Sequence, residues 1–382
     1  MKIVSISTAD RKWLLSNYGG FLQHFALREV LKKSGFLPYR VEAERMRSEI
    51  KALVKAVLRP LKDIANNILS LVDRRRKWRP VKMFWYWWHK VRFIQDYRKL
   101  IGCLFEDSQK ECFASIVGGW QAWSIYCQDR PDLYWECDPR QMKRIAYSVS
   151  SAWIALASNE GWKKRLAAAL HRADSVSLRE KAGADLCASL VAGKKYAVCL
   201  DPVFLLSAEE YEKYIPMEKS FRQKTLFCYF VEVYDKEYID ARKFKALADR
   251  LGCECRMVGI QGAEHFIPRH LLENPGPVDF LRCCRDAEYV ITNSFHGVVL
   301  AIVFGKKFLF LGQRDPQNTG SRNQRQMELL AEFGLMNRSV PVEADVIDMM
   351  TAMQSKIDWQ AVSATVREKR KFSIDWLCNA LS

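Results

Sequence analysis

The side chain best placed for chemistry is His296, in the run Thr292-Asn293-Ser294-Phe295-His296-Gly297. Ahead of it Tyr289–Ile291 is apolar and β-favouring, Asn293 and Ser294 are good helix N-caps, and the apolar stretch Val298–Phe304 behind it stops at Gly305. The pattern reads as strand, turn, helix. The first N–H groups of a helix have no intrahelical partner and carry partial positive charge, so Ser294, Gly297 and the backbone around them suit an anion. An imidazole there titrates near neutral pH and can give or take a proton. The same turn is equally readable as a plain cap whose histidine packs.

Other candidates sit at similar edges. Arg179 follows an apolar strand and precedes a helix, so its planar fork could clamp a carboxylate or phosphate, or pair with Glu180. Asp201, before Pro202, either caps the next turn or orients a hydroxyl. Asn17, Gly19 and Gly20 form a small-residue loop ahead of a helix, open to close approach by a ligand or simply a turn. Arg322, with Arg325, follows the polar loop Gln313–Ser321, which would form one lip of a cleft. His265 and His270 flank Pro268 in an irregular segment with no matching Asp or Glu geometry, so no metal and no cofactor are expected.

The elements that must hold these residues alternate. Strands are predicted at Lys2–Ser7, Phe36–Val41, Phe113–Val117, Arg144–Ser150, Ser175–Leu178 and Lys195–Leu200, with helices at Phe21–Lys33, Trp162–His171 and Glu180–Val191. The rhythm returns with strands Thr225–Val231, Cys255–Ile260, Tyr289–Ile291 and Phe308–Leu311, and helices Asp235–Leu251, Pro277–Arg285 and Gly297–Phe304. Helical patterns at Arg322–Phe333, Ala344–Lys356 and Asp358–Ala380 close the chain. Alternation of this kind means parallel sheets, here an α/β protein of two doubly wound, Rossmann-like domains facing across a cleft. We place the N-terminal domain at 1–207, with a basic aromatic helical insertion at about 44–111, and the C-terminal domain at 208–382.

At 382 residues two cores fit, and an apolar fraction of 49% with 27% charged residues excludes a disordered or fibrous chain. The start, MKIVSISTADRKW, has no export pattern, so a cytoplasmic protein is expected, and the twelve scattered cysteines read as reduced small hydrophobes. The net charge of +16 is uneven: residues 51–100 carry 14 Lys and Arg against three Asp. That segment includes Arg74-Arg75-Arg76-Lys77-Trp78-Arg79 and Phe84-Trp85-Tyr86-Trp87-Trp88-His89-Lys90. Cations beside Trp and Tyr suit an anionic membrane surface. They also suit nucleic acid, the less favoured partner, or a packed helical insertion with solvated charges. No apolar run reaches the roughly 18 residues that span a bilayer, so membrane contact would be peripheral.

Six separated pieces then align in order with one family: Ser16-Asn17-Tyr18-Gly19-Gly20 with Leu22-Gln23 and Ala26-Leu27; Val117-Gly118-Gly119-Trp120-Gln121-Ala122-Trp123-Ser124; Ala146-Tyr147-Ser148-Val149-Ser150; Ser177-Leu178-Arg179-Glu180-Lys181; Asp201-Pro202-Val203-Phe204-Leu205-Leu206; and Gly276-Pro277 through Ser294-Phe295-His296-Gly297. On these the chain resembles the polysaccharide pyruvyl transferases. The resemblance implies a fold like that of the GT-B glycosyltransferases. It also implies transfer of the enolpyruvyl unit of phosphoenolpyruvate to a sugar of a surface polysaccharide precursor, as a ketal. The acceptor would be a sugar, including a lipid-linked one, met at the cytoplasmic face of a membrane. Such chemistry needs an acid for the methylene carbon, the role expected of His296, and groups that hold the departing phosphate. Two positions depart from the family pattern: Trp120 stands where an Asp is usual, and Ala152 where a Gly is usual. Two rival readings stand beside it. A GT-B glycosyltransferase using a nucleotide sugar lacks support from any glycine-rich dinucleotide fingerprint, and a nucleic-acid-binding protein rests on charge alone.

Overall fold

A computed structural model describes residues 2–7, 17–39, 89, 91–96, 99–100, 112–119, 122–123, 131–135, 142–151, 158–218, 220–233, 238–312 and 321–382. Two sheets organise them. The first comprises β1 (Ile3–Ser7), β2 (Leu37–Tyr39), β3 (Ala114–Gly118), β4 (Lys143–Val149), β5 (Ser175–Leu178) and β6 (Tyr196–Val198), in the order β2-β1-β3-β4-β5-β6. The second comprises β7 (Thr225–Val231), β8 (Glu254–Ile260), β9 (Tyr289–Thr292), β10 (Lys307–Leu311) and β11 (Ser339–Val340), in the order β11-β10-β9-β7-β8. Every pairing is parallel. Parallel strands are covered on both faces, which is why β3 is buried along its whole length and β10 from Phe308 to Leu311. The α/β architecture of two doubly wound sheets matches the one the alternation predicts.

Strand order reverses once in each sheet, between β1 and β3 in the first and between β7 and β9 in the second. At such a switch point the loops leave in opposite directions and open a crevice at the carboxyl edge. Asn17 and Gly19 lie beyond β1, Gly119 beyond β3, and His296 beyond β9. The fold therefore aims both crevices at the same region.

Helix starts differ from the sequence reading, each for a local reason. The first helix runs Tyr18–Lys33, three residues earlier than predicted, because the Asn17 side chain accepts from Gly20 N at 3.2 Å and caps it. Gly19 and Gly20 are thus in its first turn instead of a loop. The helix predicted from Asp235 begins at Ala241, where Asp240 accepts from Arg242 N at 3.0 Å. The helix after β9 begins at Phe295, which puts His296 inside its first turn. The short β11 carried no sequence signal.

The two halves share one core. Helix Tyr18–Lys33 is buried nearly all round because it lies between them. Its Tyr18 stacks on Phe280 of the second half with ring centroids 4.0 Å apart, and its hydroxyl donates to Pro275 O at 2.8 Å. Residues 91–96 are helical and clasp the second half as well: Arg92 donates to Asn274 O at 2.8 Å, and Asp96 accepts from Val278 N at 2.8 Å, at the start of helix Pro277–Asp286. The last helix, Trp359–Leu381, crosses back to the first half, where the Ser373 hydroxyl accepts from Leu200 N at 3.0 Å and Arg370 donates to Phe204 O at 2.6 Å.

Candidate functional site

His296 reaches out of the second half and meets the first. Its Nε2 is 3.5 Å from Asp201 Oδ2, an ion-pair contact longer than a good hydrogen bond. Its other ring nitrogen lies against Gly19, so closely that a Cβ on that residue would stand 2.0 Å from Nδ1. Gly19 is therefore required by packing: only a residue without a side chain lets the imidazole sit there. The ring keeps 15% of its side-chain surface exposed, and Nε2 has no hydrogen-bond partner among the described residues.

Asp201 is the hub. Its Oδ1 accepts from Val203 N at 2.9 Å, capping the short helical turn Pro202–Leu205. Its Oδ2 accepts from Gln23 Nε2 at 2.6 Å and pairs with Arg179 Nη2 at 2.7 Å. The cap expected of Asp201 is thus present, together with a charge pair to Arg179 that its sequence context does not announce. Arg179 does not pair with Glu180. It also donates to Gly119 O at 2.7 Å, and its Nε has no partner among the described residues. Glu180 instead accepts from the Ser150 hydroxyl at 3.0 Å and from Ser151 N at 2.5 Å.

Charge states follow from this packing. Burial works against the Asp201 carboxylate, but Arg179 and then His296 outweigh it and hold the carboxyl below its ordinary range. Burial pushes the His296 imidazole below its ordinary value; Asp201 pulls it up, and Arg179 and Arg325 push it further down. The pair is thus a carboxylate whose ionised form is favoured beside an imidazole whose protonation burial disfavours.

Beside this cluster opens a cavity of ≈ 320 Å³, lined by Arg179, Asp201 and Phe295 together with Arg325, Glu328 and Glu332 of helix Ser321–Glu332. The guanidinium carbons of Arg179 and Arg325 lie 4.9 and 5.8 Å from the Phe295 ring centroid, and Arg325 Nε, like Arg179 Nε, is buried without a partner. Two like charges facing one cavity, each with a spare donor, are complementary to an anion. Among the described residues no three His, Cys, Asp or Glu side chains gather as a metal site, and no helix is long and apolar enough to cross a membrane.

The remaining candidates are placed differently. Asn293 is no cap: it exchanges two 2.9 Å hydrogen bonds with Val231 and pins β9 to β7 across the switch point. Ser294 holds the N-cap position without a side-chain cap bond, and its N–H donates to Thr292 Oγ1 at 3.0 Å. Gly297 packs on that threonine, since a Cβ there would be 2.3 Å from Thr292 Oγ1. Asn17 and Gly20 are engaged with each other as a cap, so of the expected loop only Gly19 touches the cluster. Arg322 opens the helix that carries Arg325, but its side chain is outside the described residues, as are Trp120, Ala152 and most of the basic segment 51–100. Gln23 and Glu328 were not singled out as site residues. For Gln23 the available signal was an amide four residues after Gly19, on the same helix face.

A model of the family described as polysaccharide pyruvyl transferase matches residues 17–315. No curated protein matches the chain. Among solved structures, UDP-GlcNAc 2-epimerase from Methanocaldococcus jannaschii is 10% identical over 97% of this chain and 99% of that one, with a TM-score of 0.50. The S. aureus MnaA–UDP structure is 12% identical over 96% and 91%, TM-score 0.48, and a ugt transferase from Siraitia grosvenorii in complex with UDP is 9% identical over 100% and 99%, TM-score 0.46. At such identities the likeness is one of fold, two Rossmann-like domains in the GT-B manner.

Proposed function

The chain belongs to the polysaccharide pyruvyl transferase family, and from that premise we propose that it moves the pyruvyl unit of phosphoenolpyruvate onto a sugar of a polysaccharide precursor, releasing phosphate and closing a ketal across two hydroxyls. The observation that supports this most directly is the His296–Asp201 contact at the meeting of the two halves. Protonation of the methylene carbon of phosphoenolpyruvate leaves cationic character on the neighbouring carbon, which a sugar hydroxyl attacks. His296 is the acid. Its proton affinity, lowered by burial, rises when a phosphate dianion enters, and Asp201 stabilises the imidazolium so formed. Arg179 and Arg325, with their spare Nε–H donors, receive the carboxylate and phosphate as charge builds on the leaving group. The cationic, aromatic segment 51–100 suits a membrane surface that carries a lipid-linked acceptor.

The experiment incubates the purified protein with phosphoenolpyruvate and a panel of galactosides and mannosides, reading phosphate release and the mass gain of the sugar. His296→Ala should lower turnover by about 10²–10⁴-fold, the range for lost acid catalysis, with the fold intact because the ring is a minor part of the core. Normal turnover by His296→Ala rejects its role. Release of UDP from a nucleotide sugar, with none of phosphate from phosphoenolpyruvate, rejects the donor.

A further inference from the structure

The ketal reaction needs a proton acceptor as well as a donor, because two sugar hydroxyls lose their protons. In helix Ser321–Glu332 the positions Arg325, Glu328, Leu329 and Glu332 follow the i, i+3, i+4, i+7 spacing of one helix face, and all four line the cavity. Four carboxylates stand on the cavity wall: Asp201, Glu180, Glu328 and Glu332. Three are committed. Asp201 is neutralised by Arg179, Glu180 accepts hydrogen bonds from Ser150 and Ser151, and Glu332 pairs with Lys369. Glu328 has one hydrogen bond among the described residues, from the neutral amide of Gln324 to Oε1 at 2.9 Å, and no cation. Its Oε2 is left over. The helix thus brings to the cavity that Asp201 and Arg179 also line one carboxylate oxygen with no partner among the described residues.

We propose that Glu328 is the catalytic base that takes the proton of the attacking sugar hydroxyl, a role that rests on the pyruvyl-transfer reading of this site. Burial, partly opposed by Gln324 and reinforced by Glu180 and Glu332, raises its proton affinity, in the direction that makes a carboxylate a better base near neutrality. In the first half-reaction His296 gives a proton to the methylene carbon, the hydroxyl oxygen bonds to the adjacent carbon, and the hydroxyl proton passes to Glu328. In the second the carbon–oxygen bond to phosphate breaks and a second hydroxyl takes its place. Its proton leaves on phosphate, and the proton on Glu328 returns through solvent to His296. The sum is phosphoenolpyruvate plus a diol giving a ketal plus phosphate, with no oxidant or cofactor.

Glu328→Gln retains Oε1 for the Gln324 bond and the volume of the side chain, but it cannot take a proton. Wild type, Glu328→Gln and Glu328→Asp are compared in phosphate release with phosphoenolpyruvate and the methyl galactoside and mannoside panel, and phosphoenolpyruvate affinity is titrated by calorimetry. The expected result is a kcat reduced by about 10²–10⁴-fold in Glu328→Gln, unchanged phosphoenolpyruvate affinity, and partial recovery in Glu328→Asp. Wild-type kcat in Glu328→Gln, or a loss of phosphoenolpyruvate affinity as large as the loss of kcat, overturns the role. Absence of phosphate release by the wild type with every sugar of the panel overturns the pyruvyl-transfer reading itself.

Discussion

Replacing Gly19 by alanine separates the geometry of the site from its chemistry, because the added methyl group touches nothing that reacts except the imidazole. Gly19 lies in the first turn of helix Tyr18–Lys33, where alanine is favoured over glycine by up to about 1 kcal/mol. The new Cβ would stand 2.0 Å from Nδ1 and 2.5 Å from Cε1 and Cγ of His296, where side chains do not approach within 3.0 Å. The ring must therefore retreat by about 1 Å, and a displacement of that size at a reacting group costs on the order of 10²-fold, or about 2.7 kcal/mol of transition-state stabilisation. The assay is phosphate release from phosphoenolpyruvate alongside thermal unfolding by circular dichroism. The expected kcat is lower by about two orders of magnitude with little change in Tm, the gain in helix propensity offsetting the strain. With the ring gone the three atoms nearest the methyl group go with it, so adding Gly19→Ala to His296→Ala should cost little further rate. Gly19→Ala at the wild-type rate, or losses that multiply in the double variant, would refute the contact.

Two further outcomes follow from the charges. An acid must be protonated to act, so the rate falls as pH rises through its pKa. Burial and the two arginines hold His296 below its ordinary 6.5, and a bound dianion raises it. The fall in kcat should thus come at higher pH than the fall in kcat/KM, and coincident limbs in steady-state profiles would count against His296 as the acid. Asp201→Asn leaves the Arg179 guanidinium, 5% exposed, without its counter-charge, a loss of about 3–5 kcal/mol measurable by urea unfolding. Because the native Asp201 carboxyl is held below its unfolded value, its contribution is present above about pH 4 and lost as pH falls through the native pKa. The gap between wild type and variant should accordingly close in acid; a gap that widens would contradict the buried pair.

What the sequence made legible was whatever a short window encodes. The strand-turn-helix around His296, the β5 edge at Arg179 and the Asp201–Pro202 turn each carry apolar runs, caps and breakers within about ten residues, and the strands came out close to their observed bounds. Pairings between distant segments have no local signature. Asn293 looks like a cap in sequence and serves as a clamp on Val231, 62 residues away. Arg179 stands next to Glu180 and pairs with Asp201 across a strand. Gln23 reads as an ordinary helix residue until Asp201, 178 positions later, is laid against it. Glycine at 19 looks like a turn former, whereas its reason is a ring from the other half of the chain.

That last pairing bears on how the site is kept in register. His296 belongs to the second half, while Gly19 and Asp201 belong to the first, so the 3.5 Å His296–Asp201 contact and the seat of the ring on Gly19 are only as fixed as the joint between the halves. The joint is made by the same helix that carries Gly19 and Gln23. One residue ahead of Gly19, Tyr18 stacks on Phe280, and its hydroxyl bonds Pro275. An aromatic stack is worth about 0.5–1.5 kcal/mol beyond its buried area and one hydrogen bond about 1 kcal/mol. Neither is large, but each fixes a position adjacent to the ring's seat, with Asp96 on Val278 holding the start of the helix that carries Phe280. A single rigid helix thus aligns the imidazole with its carboxylate and anchors the two halves, which ties any loosening of the joint to a loss of the acid's alignment.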